Sequence, residues 1–527
     1  MITTSRAYYV AIAEVMLVVG ICFAVTGVAP PAVNEAHYFI KSKNYWDPSW
    51  CAGDLFASSG NPHLLFHFTF GAFTQWFSLE TTAWVGRFIG WLLIAIGLRA
   101  VTTAVTTRPL ATVWVAIVWM AGVYGFNLAG EWVIGGIEGK VPAYGLMLMA
   151  LRMMIDGKWQ MVWPLLGLAS AFHVLVGGWS VVIAIGMFAF DKKSNLTWQS
   201  QFLPLALGGC LGLIGIYPAL ALTRGVPADA VTTAAKIYSY ERLTHHLLPS
   251  ALQATWYARH LVLVLITAFA IWRLRSQPAI EVVGRFTIGA VLIAVAGLIV
   301  GMLPAVAPDL AAKLLRYYWF RMTDAIVPLA FALAVASVPG AMPGAMPDSL
   351  RSKLARGVAM LVALVIVGFA WLESTQMTVR TRSGRVASAI GMNTFAENRE
   401  QVVSDWIEVC DWVDRTLPRS EVLLTPRNQQ TFKWYANRAE VVNWKDVPQD
   451  SERLIAWSKR FRDVFPQRLG TVRVTIRYPE LIRYRKQYGA RFMIVDRRYS
   501  GHSLPLVQVY PTAPYETNAT YGVYRLP

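Results

Sequence analysis

The sequence predicts a polytopic α-helical membrane protein that carries a small soluble α/β domain at its C-terminal end. Three observations predict it. Of 527 residues, 55% are hydrophobic and only 15% charged, against about 25% charged in ordinary soluble domains. Apolar runs approaching the length that crosses a hydrocarbon core about 30 Å thick recur from the N-terminus to residue 372. After residue 372 the long runs stop, and shorter apolar stretches at helix and strand periods replace them.

The first run, 8–29, is too long for the apolar part of a signal peptide and lacks a small-residue cleavage site, so it reads as a retained helix. A long loop, 30–82, follows it. Within that loop the segment 62–78 (PHLLFHFTFGAFTQWFS) is short and aromatic, and it reads as interfacial rather than crossing. Further spans lie near 83–105, 110–128, 140–155, 159–175, 176–190, 201–222, 258–275, 283–303, 321–340 and 355–372, about eleven transmembrane helices in all. PGAMPGAMPD, at 339–348, reads as a linker. In the region 373–527, Val402–Leu417 has the period of an amphipathic helix, with Trp406, Val409, Cys410 and Val413 on one face. Glu421–Thr425, Arg491–Val495, Leu506–Tyr510 and Tyr521–Leu526 read as short strands.

The formal charge is +17, and its placement orients the chain. With 62–78 not crossing and the N-terminus cytoplasmic, the cytoplasmic turns hold Arg108, Lys158, Lys192, Lys193, Arg273, Arg275, Arg285, Arg351, Lys353 and Arg356, as the positive-inside rule requires. The first loop, Glu131–Lys140, Arg224–His260, Pro304–Tyr318 and the domain 373–527 then share the extracytoplasmic face of the plasma (inner) membrane. No basic run interleaved with aromatics stands apart from a membrane flank, which argues against nucleic-acid binding. The four cysteines, Cys22, Cys51, Cys210 and Cys410, form no CxxC or zinc spacing. Cys51 and Cys410 share a side, which leaves a disulfide between them open.

The segment Pro31–Pro62 concentrates Glu35, His37, Asp47 and Asp54 among Tyr38, Tyr45, Trp46 and Trp50. Carboxylates among aromatics at a membrane edge suit a general base acting on an acceptor, or a ligand set for a divalent cation. Asp47 reads as the cap of the Asp-Pro turn. Asp54 reads equally as a cap at Leu55 or as a functional acid, and Glu35, at the helix exit after Pro30–Pro31, reads as functional. The second loop, EWVIGGIEGK, carries Glu131, Glu138 and Lys140. Glu131 and Glu138 are seven residues apart and on a helix would share a face.

His173 lies in an apolar run, where an ionisable group tends to face a cavity or a neighbouring helix, and Gly177–Gly178 marks a helix break beside it. In RYYWFRMTD, Arg316 and Arg321 suit a bidentate grip on phosphate, with an Arg321–Asp324 pair as the structural alternative. Lys236, Tyr240, Arg242, His245 and His246 line another loop, and two adjacent histidines are a weak metal signal. Walker A, GxGxxG, GxSxG and HExxH patterns are absent, which argues against an ATP-driven pump and the common soluble hydrolases.

This layout resembles the GT-C superfamily of membrane glycosyltransferases, such as protein O-mannosyltransferases and lipid A aminoarabinose transferases. Asn34–Glu35–Ala36–His37–Tyr38 occupies the place where those relatives have an Asp-Glu pair followed by aromatic or basic residues. Asn61–Pro62–His63–Leu64 is similar to their Pro-Pro-Leu element. The relatives' catalytic Asp is replaced by Asn34, which has no basic oxygen. The resemblance implies sugar transfer from a polyprenyl-phosphate-linked donor to an acceptor on the extracytoplasmic face, with Glu35 or Asp54 as the base. It places Asn34, His37, Glu131, Glu138, Lys140, Arg242, Arg316 and Arg321 around the substrates, and implies that Arg321, with Lys140 or Arg242, stabilises the departing phosphate. The C-terminal domain would cover the outer opening and contribute to acceptor choice. This reading requires Glu35, Asp54 and Arg321 to converge on one cavity. Two other readings stay open: a secondary transporter built around a midplane site, and a non-catalytic scaffold for envelope assembly.

Overall fold

The structure is a computed structural model, described for residues 2–191, 196–338, 368, 399–465, 477–500, 504–512 and 518–527. The predicted span 355–372 (apart from residue 368), the PGAMPGAMPD linker, and Lys192, Lys193, Arg351, Lys353 and Arg356 of the charge pattern lie outside the described residues.

The membrane part contains α1 (Ile2–Thr26), α2 (Glu35–Trp46), α3 (Leu64–Thr69), α4 (Leu79–Val105), α5 (Ala111–Phe126), α6 (Lys140–Ile155), α7 (Trp159–Phe172) and α8 (Val174–Ala189). It continues with α9 (Phe202–Ala221), α10 (Ala228–Lys236), α11 (Thr244–Leu247), α12 (Ala254–Leu274), α13 (Pro278–Val300), α14 (Pro308–Leu315) and α15 (Arg321–Ser337). Every predicted apolar run up to residue 340 coincides with one of these helices. Among the described residues, five segments are long and apolar enough to cross a bilayer: Tyr8–Thr26, Leu79–Val105, Gln199–Ala221, Ala254–Leu274 and Pro278–Ala305. α15 is apolar on all sides and buried from Met322 to Ser337, so it is the central helix of the bundle.

Segment 62–78 forms α3 and a 3-10 turn, Phe70–Gln75, each too short to cross. Arg87 Nη1 donates to Val28 O at 2.5 Å, which ties the beginning of α4 to the end of α1. Both therefore lie at one end of the bundle, and the first loop returns to the side it left. The same end gathers the loop 127–139, the α7–α8 junction, and the segment from α10 to α11 with α14. The predicted break at Gly177–Gly178 is corrected. α8 runs through both glycines, and the chain breaks at His173 (φ −150°, ψ 102°), whose side chain caps α8 by accepting from Val176 N. Gly177 serves close packing instead, since a Cβ there would fall 2.1 Å from Ser170 N.

The C-terminal domain comprises α16 (Arg399–Thr416), β1 (Val422–Leu424), α17 (Phe432–Ala436), β2 (Ala439–Glu440), α18 (Ser451–Val464), α19 (Tyr478–Tyr488), β3 (Ala490–Asp496), α20 (Arg497–Ser500), β4 (Val507–Tyr510) and β5 (Tyr521–Arg525). Its sheet has the order β2-β1-β3-β5-β4. β1 runs parallel to β2 and β3, and β5 runs antiparallel to β3 and β4. The predicted face of α16 (Trp406, Val409, Cys410 and Val413) packs in one core with Phe432, Ile494, Tyr521 and Val523. α18 begins at Asp450, which caps it by accepting from Arg453 N at 3.0 Å.

This domain sits on the loop end of the bundle. Trp50 Nε1 donates to Asn437 Oδ1 at 3.0 Å, and Gly60 N to Asp450 Oδ2 at 2.9 Å. Gln430 Nε2 donates to Val33 O at 3.3 Å, and Arg462 pairs with Glu241 at 2.5 Å. All four cysteines are free; Cys51 and Cys410 are buried in separate cores, so the disulfide left open by the sequence does not form.

Candidate active site

Glu35 opens α2 and is completely buried. Arg87 Nε and Nη2 donate to its two oxygens at 2.7 and 2.6 Å, and the backbone N–H groups of Ile137 and Ala32 do so at 2.9 and 2.6 Å. A carboxylate has about four lone-pair sites, and all are engaged. Gly136 makes this approach feasible: a Cβ there would lie 2.8 Å from Glu35 Cδ. Glu35 thus forms a buried ion pair that joins the first loop, α4 and the second loop.

Asp54 has the same fate elsewhere. Its Oδ1 caps a turn by accepting from Phe56 N and Ala57 N at 3.0 and 2.8 Å. Its Oδ2 accepts from Glu440 N at 3.1 Å and lies 3.4 Å from Lys433 Nζ. Lys433 also pairs with Glu440 at 2.5 Å and Asp446 at 2.7 Å. Three buried carboxylates thus surround one ammonium, at the seam between first loop and C-terminal domain. Burial, only partly offset by Lys433 and reinforced by Asp446 and Asp54, raises the Glu440 carboxyl above its ordinary range. Glu35, Asp54 and Arg321 therefore occupy three different partner sets. Lys433→Met is expected to destabilise the protein by about 3–5 kcal/mol, because it strands buried carboxylates. Calorimetry, with proteolysis of the C-terminal domain as a local readout, measures this.

The second loop supplies a further buried charge network. It is not helical, so Glu131 and Glu138 do not share a helix face as expected. They meet on Lys140, whose Nζ lies 2.8 Å from Glu131 and 3.0 Å from Glu138. Asp324 holds the loop in place by accepting from Leu128 N, Ala129 N and Glu131 N at 2.7, 2.9 and 3.3 Å. Arg321 pairs with Glu131 at 2.9 Å instead of Asp324, and its Nη1 lies 2.8 Å from His173 Nε2. At the other end, exposed Asn34 donates to Glu138 Oε2 at 2.9 Å. The result is one buried chain: Asn34, Glu138, Lys140, Glu131, Arg321, His173. Its two carboxylates, Glu131 and Glu138, face its lysine and its arginine.

Within the chain, Glu138 holds two of its four lone-pair sites unengaged. Burial pushes its carboxyl upward, but Lys140, Asn34 and Arg321 outweigh burial, and its pKa falls below the ordinary value. Glu138 is thus ionised at neutral pH, beside the exposed end of the chain. His37 stays outside it. Its ring packs 4.5 Å from Phe56, and burial, with Lys41 and His63 adding, lowers its pKa to about 3.

Aromatics line the approach from the other side. Arg321 lies 4.4 Å over Tyr318, the Tyr318 and Tyr238 hydroxyls are 3.1 Å apart, and Arg316 lies 5.0 Å over Tyr238. Half-buried Arg316 forms no ion pair among the described residues. Arg242 turns toward the C-terminal domain, where its Nε donates to Trp444 O at 2.9 Å. His246 Nδ1 contacts Ala129 O at 2.6 Å, and no group of three or more His, Cys, Asp or Glu suited to a metal ion occurs among the described residues.

Sequence reasoning missed Arg87, His63 and Lys433. Arg87 was signalled by being a charge inside an apolar span, which is rare without a partner. His63 stacks on His173 with centroids 5.0 Å apart, and its Nδ1 is buried without a hydrogen-bond partner. Burial, before any neighbouring charge, lowers the His63 pKa to about 4. Lys433 carried no local signal, since its partners arrive from β2, the following loop and the first loop.

Comparison with solved structures decides the fold. The crystal structure of ArnT from Cupriavidus metallidurans bound to undecaprenyl phosphate matches with a TM-score of 0.53, over 99% of this chain and 98% of that one, at 13% identity. The fold is GT-C. Archaeal oligosaccharyltransferase AglB from Archaeoglobus fulgidus, in complex with an inhibitory peptide and a dolichol-phosphate, matches more weakly, with a TM-score of 0.39 and 11% identity over 94% of this chain and 70% of that one. The model of a domain of unknown function (DUF6798) matches residues 404–464, from α16 through α18 of the domain that sits on the GT-C bundle. Comparison with curated proteins gives no match.

Proposed function

We propose that this GT-C-fold protein transfers a sugar from a polyprenyl-phosphate-linked donor to an acceptor on the extracytoplasmic face of the plasma membrane. The observation that carries the reading is the charge chain from Asn34 to Arg321, with an ionised, buried Glu138 next to exposed Asn34. The shared fold supports the choice of donor, since ArnT was solved with undecaprenyl phosphate bound.

In this mechanism Glu138 replaces Glu35 and Asp54 as the base. It takes the proton of an acceptor hydroxyl as that oxygen bonds to the anomeric carbon. The bond from the anomeric carbon to the phosphate oxygen breaks, and its electron pair leaves with the polyprenyl phosphate. Arg316 and the Tyr238 and Tyr318 hydroxyls receive the departing phosphate, where most charge develops. Lys140 and Arg321 hold Glu138 and Glu131 in position and contribute positive potential. The prenyl chain lies between helices, in the lipid.

The experiment is direct. The purified protein in lipid nanodiscs is incubated with a panel of polyprenyl-phosphate sugars. Donor consumption with release of polyprenyl phosphate is expected. Solute uptake driven by an ion gradient, with every donor left intact, would make the protein a transporter instead.

A further inference from the structure

Buried cations at the loop end are matched almost one by one. Arg87 faces Glu35, Lys140 faces Glu131 and Glu138, Arg321 faces Glu131, and Lys433 faces Glu440 and Asp446. Lys41 has no carboxylate, but three oxygens of Phe56 and Ser59 accept from it. Two guanidiniums at the seam between the membrane part and the C-terminal domain break this pattern.

Arg242 ends the π-helical turn Ile237–Arg242 and is only 8% exposed. Its guanidinium carbon lies 4.8 Å from the Trp444 ring. Half-buried Arg427, in the loop after β1, approaches the same ring at 5.7 Å and Phe461 at 5.0 Å. Neither forms an ion pair among the described residues, and Arg427 Nε is buried without a hydrogen-bond partner. Of the nearby acids, none pairs with either guanidinium, although Asp446 Oδ1 has no hydrogen-bond partner. Asp446 engages Lys433 and Asn443, and Glu241 pairs with Arg462. Burial lowers the Arg242 pKa to about 10, a sign of desolvation with little compensation.

Two guanidiniums beside one indole are here partly or wholly removed from water. Their attraction to the ring is weaker than the cost of desolvating them. An anion between them removes that cost, and the planar forks of two arginines suit a phosphate in particular. We propose that Arg242 and Arg427, both beside Trp444, form a second anion subsite that binds a phosphate group of the acceptor. The inference rests on the transferase reading for the word acceptor; the anion site itself does not. One arginine comes from the membrane part and the other from the C-terminal domain, so acceptor binding requires the domain to be docked. The phosphate belongs to a lipid headgroup or to a soluble phosphorylated glycan.

The test uses the full-length protein in phosphatidylcholine nanodiscs, titrated calorimetrically with inorganic phosphate. Wild type is expected to show a saturable site that Arg427→Gln weakens roughly ten- to a hundredfold, as for loss of a hydrogen bond to a charged group. Arg427→Lys, which keeps the charge and loses the fork, should fall between them. If phosphatidylglycerol nanodiscs abolish this binding in wild type, the natural ligand is a headgroup; if they leave it unchanged, the ligand is soluble. Two results overturn the proposal: no phosphate binding by wild type in either nanodisc, or equal binding by folded Arg427→Gln and wild type. Failure of donor consumption would sink the transferase reading alone and leave the phosphate titration standing.

Discussion

Replacing Glu138 with Gln is expected to lower the rate of sugar transfer about 10²–10⁴-fold, the usual contribution of a positioned general base, while the protein stays folded. Glutamine keeps the side chain's shape, and its carbonyl oxygen still accepts from Asn34. Lys140 loses one of two carboxylates but keeps Glu131 at 2.8 Å, so no buried charge is left alone. What disappears is the ionised carboxylate next to exposed Asn34. The measurement is the initial rate at saturating donor, with the thermal unfolding midpoint as control. Turnover equal to wild type in a folded variant would remove Glu138 from the chemistry.

Glu35→Gln is expected to act on stability rather than on the chemical step, with a loss of about 3–5 kcal/mol, the cost of breaking a buried ion pair from one side. Arg87 is 1% exposed, and in the variant it keeps neutral carbonyl acceptors, at Val28 and the new glutamine, but no counter-charge. The first loop, α4 and the second loop would lose their common fastening. Replacing Glu35 and Arg87 together with apolar residues of similar volume should recover much of the loss, because no uncompensated charge remains. Thermal unfolding of the single and paired variants in nanodiscs measures this directly. A Glu35→Gln variant as stable as wild type but inactive would return Glu35 to the catalytic role.

Much of the molecule was legible from residue order. Long apolar runs announce helices because a bilayer leaves the backbone no other economical way to satisfy its polar groups. The even alternation of spans then carries the loops holding Asn34, Glu131, Glu138, Lys140, Arg316 and Arg321 to one end. β2 was not legible, because two residues are too few to show a period. α18 and α19 went unassigned, although Asp450 is a recognisable cap and Gly489 a C-terminal stop at φ +69°.

Within the site, residue types were legible and partners were not. The first loop's carboxylates stood out by their density, yet Glu35 and Asp54 proved to be the most fully bonded acids. Their partners lie far along the chain, in an apolar span for Arg87 and in the C-terminal domain for Lys433. Glu138, each of whose oxygens meets one side chain, sits in a plainer loop.

By itself, the sequence determined that the chain lies in a membrane, where its helices run, and which loops share an end, because hydrophobic length and alternation are properties of the chain read in order. Only the tertiary structure decided which buried charge neutralises which. That depends on contacts across the bundle, and in a low-dielectric interior each such contact separates a fastened carboxylate from a reactive one.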